Sequence, residues 1–242
     1  MSETRFLVIV PTYNESENLP GKVPDILAQD ERIDVLVVDD ASPDGTGKLA
    51  DEMAAENPRV HVLHRDSKDG LGKAYLAGFA WGLAREEYEL LLEMDADISH
   101  PPEALPAMIA ATETHDVVIG SRYVGGRVTV SNWPMSRLLV SYFGSWYART
   151  ITRMPVRDAT GGFNVWRRKA LESVGLDRVR SNGYAFQIEL KFRAFRRGFS
   201  MVEIPILFTE RDSGESKMSK RIVREAIWRV WWLKLQDLFG RL

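Results

Sequence analysis

The chain has no cysteine, no marked excess of either charge and no long apolar run. Without cysteine among its 242 residues, disulfide scaffolds, cysteine-ligated zinc, iron–sulfur clusters and thiol catalysis are excluded. Lysine and arginine number 32 against 34 acidic residues, so the net charge of -2 lacks the basic signature of nucleic-acid binding. The apolar run 6–10 is too short for a secretory signal, and no stretch of about 18 residues lacks a charge. We therefore expect a cytoplasmic protein that lies at most on a membrane surface.

What the chain does have is the composition of a folded α/β domain. It is 45% hydrophobic and 27% charged, which excludes disorder, collagen-like repeats and coiled coil as the main structure. In the first half, apolar runs at 6–10, 35–38, 60–63, 90–94 and 117–119 alternate with helical patterns at 18–28, 46–56, 72–85 and 102–112. Strands that are apolar at successive positions are typical of parallel sheets buried on both faces. The pattern predicts a Rossmann-like, mostly parallel sheet flanked by helices.

The second half is less regular, yet it contains no repeat or linker that would mark a second domain. We expect loops at 125–126, 161–162 and 212–219, helices at 135–151 and 185–197, and a strand at 201–208. Pro205 within that strand indicates a sheet edge or a bulge. The segment 222–242 is a predicted helix in which tryptophans alternate with basic residues. This composition fits a helix on a membrane surface, and it also fits a helix docked on the domain or an oligomer contact.

Carboxylates follow two of the predicted strands. Asp95 and Asp97 come directly after the strand 90–94, and open α/β sheets bind ligands at the carboxyl ends of their strands. Two carboxylates one residue apart suit a hard cation such as Mg²⁺ or Mn²⁺, with diphosphate oxygens and waters completing the coordination. Asp40 follows the strand 35–38, where a carboxylate can bind ribose hydroxyls or base N–H groups. Aspartates that merely cap loops and helices are the alternative in both places.

Further polar groups follow other strands, while several familiar motifs are absent. After the first strand, Tyr13 is suited to stacking on a base and Glu15 to accepting a base or ribose donor. The sequence has no Walker loop, no G-x-G-x-x-G after the first strand, no G-x-S-x-G elbow and no zincin histidine spacing. Four basic residues are candidates for binding an anion such as phosphate, or are ordinary surface charges. They are Arg122, Arg137, Arg211 and Lys217.

Taken together, these motifs resemble those of the family 2 glycosyltransferases, which have the GT-A fold. The resemblance rests on the segments 10–15, 38–46, 94–102 and 120–123. The segments 132–134, 158–163, 183–187 and 214–217 are similar to one branch of that family, the polyprenyl-phosphate mannosyltransferases. The motifs occur in order over residues 6–220, so the resemblance predicts a GT-A catalytic domain over 1–220 followed by an amphipathic helix over 221–242.

The resemblance implies that mannose passes from GDP-mannose to polyprenyl (dolichyl) phosphate with inversion, with Mg²⁺ or Mn²⁺, on the cytoplasmic face of a membrane. The positions that match donor binding are Pro11, Tyr13, Glu15, Val38, Asp40, Asp95 and Ala96, and Arg211 and Lys217 match basic positions that close over the donor phosphates. The metal segment is matched by Asp95, Asp97 and Ser99, although some relatives have glutamine in place of Ser99. Asp97 is expected at the reacting centre, with Arg122 and Arg137 at the acceptor phosphate. The loop 212–219 is expected to act as a lid.

Other interpretations make different demands on the same residues. Some relatives carry C-terminal transmembrane helices, so here we expect the terminal helix, or a separate anchoring partner, to bring the site to the membrane. A related enzyme that transfers glucose or another sugar from a UDP-sugar would share these motifs. A sugar-phosphate nucleotidyltransferase would need a glycine-rich, arginine-containing loop where residues 11–15 stand. A non-catalytic membrane scaffold would leave Asp95 and Asp97 without a purpose.

Overall fold

The computed structural model describes residues 4–131, 133–209, 220–240 and 242, and for 220–226 it describes the helix alone. The strands are β1 Arg5–Thr12, β2 Ile33–Asp39, β3 Val60–His64, β4 Tyr88–Glu93, β5 Val117–Ser121, β6 Val130–Ser131, β7 Asn164–Arg167, β8 Met201–Pro205 and β9 Phe208–Thr209. The α-helices are α1 Leu19–Leu27, α2 Thr46–Glu56, α3 Leu71–Leu83, α4 Leu105–Ala111, α5 Met135–Thr152, α6 Arg168–Ser173, α7 Gly183–Arg196 and α8 Lys220–Leu238.

Seven strands form one sheet in the order β3-β2-β1-β4-β7-β5-β8. β1 runs parallel to both β2 and β4, β2 runs parallel to β3, and β5 runs parallel to β8. Every residue of β2 is buried, because helices cover both faces of the sheet. The prediction of a mostly parallel sheet between helices is confirmed.

One strand runs against the others and is absent from the sequence-based prediction. β7 lies antiparallel between β4 and β5. It has only four residues, Asn-Val-Trp-Arg, and such a short run with polar ends carries no apolar pattern to detect. β7 therefore separates β4 from β5, two strands that would lie side by side without it.

The predicted strand over 201–208 is wrong in its extent, because the chain changes partner after Pro205. β8 ends at Pro205 at the edge of the sheet, opposite Ser121, where a residue without an N–H is tolerated. Phe208 and Thr209 then pair with Val130 and Ser131 to form a separate two-stranded sheet, β6 with β9. The backbone N–H groups of Ile206 and Thr129 donate to the carbonyls of Ser121 at 3.1 Å and Arg122 at 3.0 Å, which connects this small sheet to the end of β5.

The helices divide between the two faces of the sheet. Buried side chains of α3, α5, α6, α7 and α8 share one core cluster, and those of α1, α2 and α4 share the other. Val230 and Leu233 of α8 are buried against the domain, and α8 contacts α5 and α7. The part of the terminal helix that the structure describes thus packs on the domain through these two residues, and its contact with a membrane surface stays a prediction. Within the described residues, none of the helices has both the length and the apolarity needed to cross a bilayer.

Candidate functional site

An acidic loop follows β4 at the carboxyl edge of the sheet. Asp95 accepts a hydrogen bond from the Tyr75 hydroxyl at 3.1 Å. Asp97 accepts hydrogen bonds from the Ser99 backbone N–H at 3.0 Å and from the Ser99 hydroxyl. Ser99 is almost fully buried, so its hydroxyl orients the Asp97 carboxylate from within the loop. The structure thus places all three residues predicted for the metal segment in one short turn.

A buried lysine on α1 holds the backbone of this acidic loop in place. The Lys22 ammonium on α1 donates to the backbone oxygens of Asp97 at 2.7 Å and His100 at 2.5 Å. Burial lowers the pKa of Lys22, although the nearby carboxylates of Asp97 and Asp95 oppose the shift. The sequence analysis missed Lys22. The one feature that could have indicated it is its position on the otherwise apolar, buried face of α1.

His100 connects the acidic loop to an aromatic cluster. Its Nδ1 accepts a hydrogen bond from the Asp95 backbone N–H at 2.9 Å, so Nε2 carries the proton and faces the Asp95 carboxylate at 3.8 Å. Burial lowers the pKa of His100, which keeps the imidazole neutral near pH 7. The ring stacks on Phe163 with centroids 5.1 Å apart and meets the edge of Phe208 at 5.9 Å. His100 is almost fully buried, and these contacts suit a structural link between the acidic loop and the aromatic rings.

The residues predicted to bind the nucleotide cluster at the ends of β1 and β2. Pro11 lies opposite the fully buried Val38 in the parallel register. The Tyr13 ring is covered by the Lys68 ammonium at 3.5 Å from its centroid. The Glu15 carboxylate accepts a hydrogen bond from the Asn18 amide at 2.7 Å. These groups lie at or just after the ends of β1 and β2, and β1 is the neighbour of β4 in the sheet.

The Asp40 carboxylate is less accessible to a nucleotide than the sequence alone indicates. Its side chain is nearly buried and accepts a hydrogen bond from the Arg65 guanidinium at 2.5 Å. Burial raises the pKa of Asp40, and Arg65 opposes that shift. Nearby, Asp44 accepts hydrogen bonds from the backbone N–H groups of Thr46 at 3.0 Å and Ser16 at 3.1 Å. Asp44 thus closes an Asx turn just before α2, whose N-cap position is Gly45.

Arg122, directly after β5, forms a buried ion pair with Asp158. Its Nε and Nη2 each donate to a different carboxylate oxygen of Asp158 at 2.7 Å, and its backbone N–H donates to the same side chain at 3.1 Å. Burial raises the pKa of the Asp158 carboxyl, but Arg122 outweighs this and holds that pKa below its ordinary value. Burial conversely lowers the pKa of Arg122, and Asp158 outweighs it and raises that pKa. Both groups remain charged, so Arg122 contributes a cation whose charge Asp158 largely compensates.

Aromatic rings join this ion pair to the acidic loop. Trp133 meets Phe208 edge-on with centroids 5.3 Å apart, and Phe208 in turn contacts His100. The Arg137 guanidinium lies 4.5 Å from the Trp133 ring centroid, and that of Arg122 lies 5.4 Å from it. The predicted acceptor residues Arg122 and Arg137 therefore share one ring, which is linked through Phe208 and His100 to Asp95.

A buried polar network lies beneath these loops. Glu93, at the end of β4, accepts hydrogen bonds from Trp166 at 2.9 Å, Asn164 at 2.7 Å and Gln187 at 2.8 Å. Burial raises the pKa of Glu93, opposed by these donors. One turn further along α7, the Lys191 ammonium donates to the Gly161 carbonyl at 2.6 Å. The network ties α7 to the loop that carries Asp158, a connection the sequence gives no means of predicting.

Two predicted donor residues, Arg211 and Lys217, and the predicted lid 212–219 lie outside the described residues. The described residues contain no cluster of three or more His, Asp or Glu side chains suited to a metal ion. Asp95 and Asp97 nonetheless offer carboxylate oxygens, the donors that Mg²⁺ and Mn²⁺ prefer. Two protein carboxylates fit a cation that is also held by substrate phosphates.

An open, mostly parallel sheet with polar loops gathered at its carboxyl edge is the architecture of nucleotide-binding α/β enzymes. Within that class, the chain belongs to glycosyl transferase family 2, whose family model matches residues 7–175. The resemblance drawn from the sequence motifs is therefore confirmed.

Two curated relatives are similar over most of their length. The chain is 53% identical to an undecaprenyl-phosphate mannosyltransferase from Micrococcus luteus, over 93% of this chain and 92% of the relative. It is also 53% identical to a polyprenol monophosphomannose synthase from Mycolicibacterium smegmatis, over 93% of this chain and 85% of the relative.

Solved structures share the fold at low sequence identity. Glucosyl-3-phosphoglycerate synthase from Mycobacterium tuberculosis, in complex with Mn²⁺, UDP and glucosyl-3-phosphoglycerate, matches with a TM-score of 0.65 and 20% identity, over 95% of this chain and 80% of that chain. A mannosyltransferase from Pyrobaculum calidifontis, in complex with GDP-Man and Mn²⁺, matches with a TM-score of 0.57 and 18% identity, over 99% of this chain and 77% of that chain. The predicted GT-A fold is confirmed.

Proposed function

We propose that this chain is an inverting glycosyltransferase that moves mannose from GDP-mannose to the phosphate of a polyprenyl lipid. Both curated relatives carry names for this type of reaction at 53% identity. The observation that carries the proposal is the continuous set of contacts from Asp95 through His100 and Phe208 to Trp133 and its two arginines. It brings an acidic segment suited to a divalent cation, and through it to a nucleotide diphosphate, next to guanidinium groups suited to a second phosphate.

The donor is proposed to bind along the ends of β1, β2 and β4. Tyr13 covers the base, while Glu15 and Asp40 accept hydrogen bonds from base or ribose. The backbones of Pro11, Val38 and Ala96 are proposed to line the donor site. Arg211 and Lys217, which lie outside the described residues, stay predicted to close over the diphosphate. Asp40 is nearly buried and already paired with Arg65, so its carboxylate is held in one orientation. A hydrogen-bond acceptor held in this way favours selectivity for one nucleotide.

Asp95 and Asp97, with Ser99 beside them, are proposed to hold the divalent cation against the donor diphosphate. When bound, Mg²⁺ or Mn²⁺ would neutralise negative charge on the departing GDP. The contribution of the chain is orientation: Tyr75 fixes one oxygen of Asp95, and Ser99 fixes Asp97. The comparison with solved structures supports this use of a divalent cation, since the two fold neighbours described above were crystallised with Mn²⁺.

The acceptor is proposed to bind beside Arg122 and Arg137. A phosphate is anionic at neutral pH, so it can attack the anomeric carbon without a general base. This agrees with His100, whose lowered pKa and buried ring suit a structural position. Guanidinium groups are suited to phosphate because their donors match its oxygens.

The reaction is proposed to take place on the cytoplasmic face of a membrane, to which the chain binds peripherally. Two neighbouring helices expose apolar side chains at helical spacing, and we call this surface the α5–α8 face. Its members are Met135, Leu139, Phe143 and Trp146 on α5 and Trp228, Trp231, Leu235 and Leu238 on α8. The two helices are joined where the Tyr147 hydroxyl donates to the Ile227 carbonyl at 3.1 Å. On this proposal, the domain over 1–220 carries the chemistry and the terminal helix adds to membrane contact.

The test is transfer of labelled mannose from GDP-mannose into an organic-extractable product, with polyprenyl phosphate and Mg²⁺ or Mn²⁺ supplied in detergent. We expect label in the lipid phase that disappears with EDTA and in the Asp97→Asn variant. Glu103→Gln, an acidic residue after the same loop, is the matched control and keeps its activity. Label transferred from UDP-glucose and not from GDP-mannose would contradict the proposed donor.

A further inference from the structure

The indole N–H of Trp133 is a buried donor without a partner among the residues that the structure describes. Trp133 lies in the short connection between β6 and α5. Buried polar atoms nearly always have a hydrogen-bond partner, so an exception needs an explanation. An indole nitrogen can only donate, and its missing partner must therefore offer an acceptor atom.

The surroundings of the ring indicate which kind of acceptor fits. The guanidinium carbons of Arg137 and Arg122 lie 4.5 Å and 5.4 Å from the ring centroid. Two cations beside an unpaired donor favour an anionic oxygen over a neutral carbonyl. Asp158 compensates much of the Arg122 charge, so Arg122 alone would bind an anion weakly. A further hydrogen-bond donor, such as the Trp133 indole, would therefore strengthen the binding of an anion at this place.

The ring is also held in place, which a useful donor requires. Phe208 packs edge-on against it, and Phe208 is anchored through the hydrogen bond from its backbone N–H to the Thr129 carbonyl at 2.9 Å. Pro134 follows directly and precedes the first turn of α5. A donor fixed before the ligand arrives loses little conformational freedom on binding.

We propose that Trp133 binds the acceptor phosphate, with its Nε1–H donating to a phosphate oxygen and its ring face positioning the Arg137 guanidinium. This rests on the proposed function and assigns that site a further substrate-binding residue. Trp133 then contributes in two separable ways, one through the N–H and one through the ring.

The two contributions can be separated by substitution. Trp133→Phe keeps an aromatic face for Arg137 and removes the donor, whereas Trp133→Leu removes both. We expect Trp133→Phe to raise the KM for polyprenyl phosphate about tenfold, which is the size of one hydrogen bond to a charged group, with the KM for GDP-mannose unchanged. Trp133→Leu should raise it further. The control is Trp81→Phe, which removes an indole N–H on α3 beside His61 and Tyr88, with neither KM changed.

A binding measurement that needs no turnover keeps the proposal separate from the proposed function. The probe is a short, water-soluble isoprenyl phosphate, added to ¹⁵N-tryptophan-labelled protein, with the Trp133→Phe spectrum assigning the indole resonance. We expect the Trp133 indole N–H resonance to move downfield on titration, and affinity to fall about tenfold in Trp133→Phe.

The outcomes distinguish the two proposals. A Trp133 resonance that does not respond, or equal increases in both KM values for Trp133→Phe, would overturn the role of Trp133. A resonance that responds as expected in a wild-type protein that transfers no mannose would support the phosphate site and contradict the proposed reaction. Inorganic phosphate in a parallel titration shows whether the phosphate alone is sufficient to move the resonance.

Discussion

At the scale of single residues, the buried ion pair between Arg122 and Asp158 is the feature on which the proposed acceptor site depends. Both side chains are buried, and three hydrogen bonds join Arg122 to the Asp158 carboxylate. A buried pair of this kind adds little net stability compared with apolar residues, but breaking one half leaves an uncompensated charge in the interior. The pair therefore serves to fix a cation in place.

We expect Asp158→Asn to lower the free energy of unfolding by about 3–5 kcal/mol and to abolish most mannosyl transfer. Urea denaturation and the transfer assay measure the two effects. The double variant Arg122→Met/Asp158→Leu is the control, because it removes both charges; it should be more stable than Asp158→Asn while remaining inactive. A double variant no more stable than Asp158→Asn would contradict the argument from the uncompensated charge.

Lys191 gives a pH dependence that can be measured without any substrate. Burial lowers the pKa of its ammonium from 10.5 to about 8, opposed by the nearby carboxylates of Asp158 and Glu93. Between those two values the unfolded chain still binds the proton that the folded chain has released, so stability rises with pH across this window. Below pH 8 both states carry the proton, and this contribution to the slope vanishes.

The expected outcome is that Lys191→Met loses this rise. The difference in unfolding free energy between wild type and Lys191→Met should grow by about 3 kcal/mol from pH 7.5 to pH 10.5, as measured by denaturant titration at several pH values. Leu190→Ala, a core change next to it on α7, is the control and should show a deficit that does not vary with pH. A constant difference for Lys191→Met would show that the lysine titrates alike in both states.

At the scale of secondary-structure elements, Asn182 ties the first turns of two helices together. Its side-chain oxygen accepts from the backbone N–H of Gly183 at the start of α7 and from that of Gly72 at the start of α3, both at 3.1 Å. Its amide donates to the Asp69 carbonyl at 3.1 Å. Gly70 passes close by with a φ of 103°, and a Cβ there would lie 2.1 Å from the Asn182 amide.

Asn182→Ala should therefore lower the free energy of unfolding by more than the loss of an ordinary N-cap does. Loss of a single N-cap lowers stability by about 1 kcal/mol, and here two helix N-termini lose their acceptor, so we expect about 2 kcal/mol in a thermal or urea unfolding experiment. Asn182→Asp keeps the acceptor and places a negative charge at two helix N-termini, and its loss should be smaller. Equal losses for Ala and Asp would mean that the donated bond to Asp69 carries the effect.

Elements with strong local patterns could be predicted from the sequence, and elements defined by distant partners could not. The buried runs of β1, β2 and β4 are apolar at successive positions, and the acidic loop after β4 follows from that pattern. β7 owes its place to pairing with β4 and β5, which no local pattern encodes. For the same reason Lys22 and Glu93 were missed, and Asp158 was noted only within the segment 158–163, without its partner: their roles come from partners far away in the chain. Arg211 and Lys217 stay predictions.

At the scale of the whole molecule, the α5–α8 face and the candidate acceptor site are continuous. α5 begins two residues after Trp133 and carries Arg137 in its first turn. Further along, α5 exposes Leu139, Phe143 and Trp146. A lipid acceptor whose phosphate lies near Arg137 would therefore have its hydrocarbon chain beside an apolar surface.

The net charge of -2 gives the whole chain no attraction to an anionic bilayer, so the apolar side chains must supply most of the affinity. Fully burying one large apolar side chain contributes about 1.5–3 kcal/mol, while exposed cations such as Arg149 and Arg153 near the end of α5 favour anionic lipids. The face has a charged and an apolar component, as interfacial helices do.

We expect the purified chain to co-sediment with anionic vesicles, and Phe143→Glu combined with Trp228→Glu to reduce the bound fraction about tenfold or more, because two charges would have to enter the acyl region. Both side chains are more than half exposed, at 56% and 71%, so folding should be unaffected.

Transfer to a short, water-soluble isoprenyl phosphate should stay at the wild-type rate, while transfer to a long acceptor in vesicles falls. Thr114→Glu adds a charge beyond α4, on the opposite side of the sheet, and is the control that keeps vesicle binding. Wild-type protein that ignores vesicles of every composition, yet transfers mannose in detergent, would instead indicate that a protein partner covers the α5–α8 face.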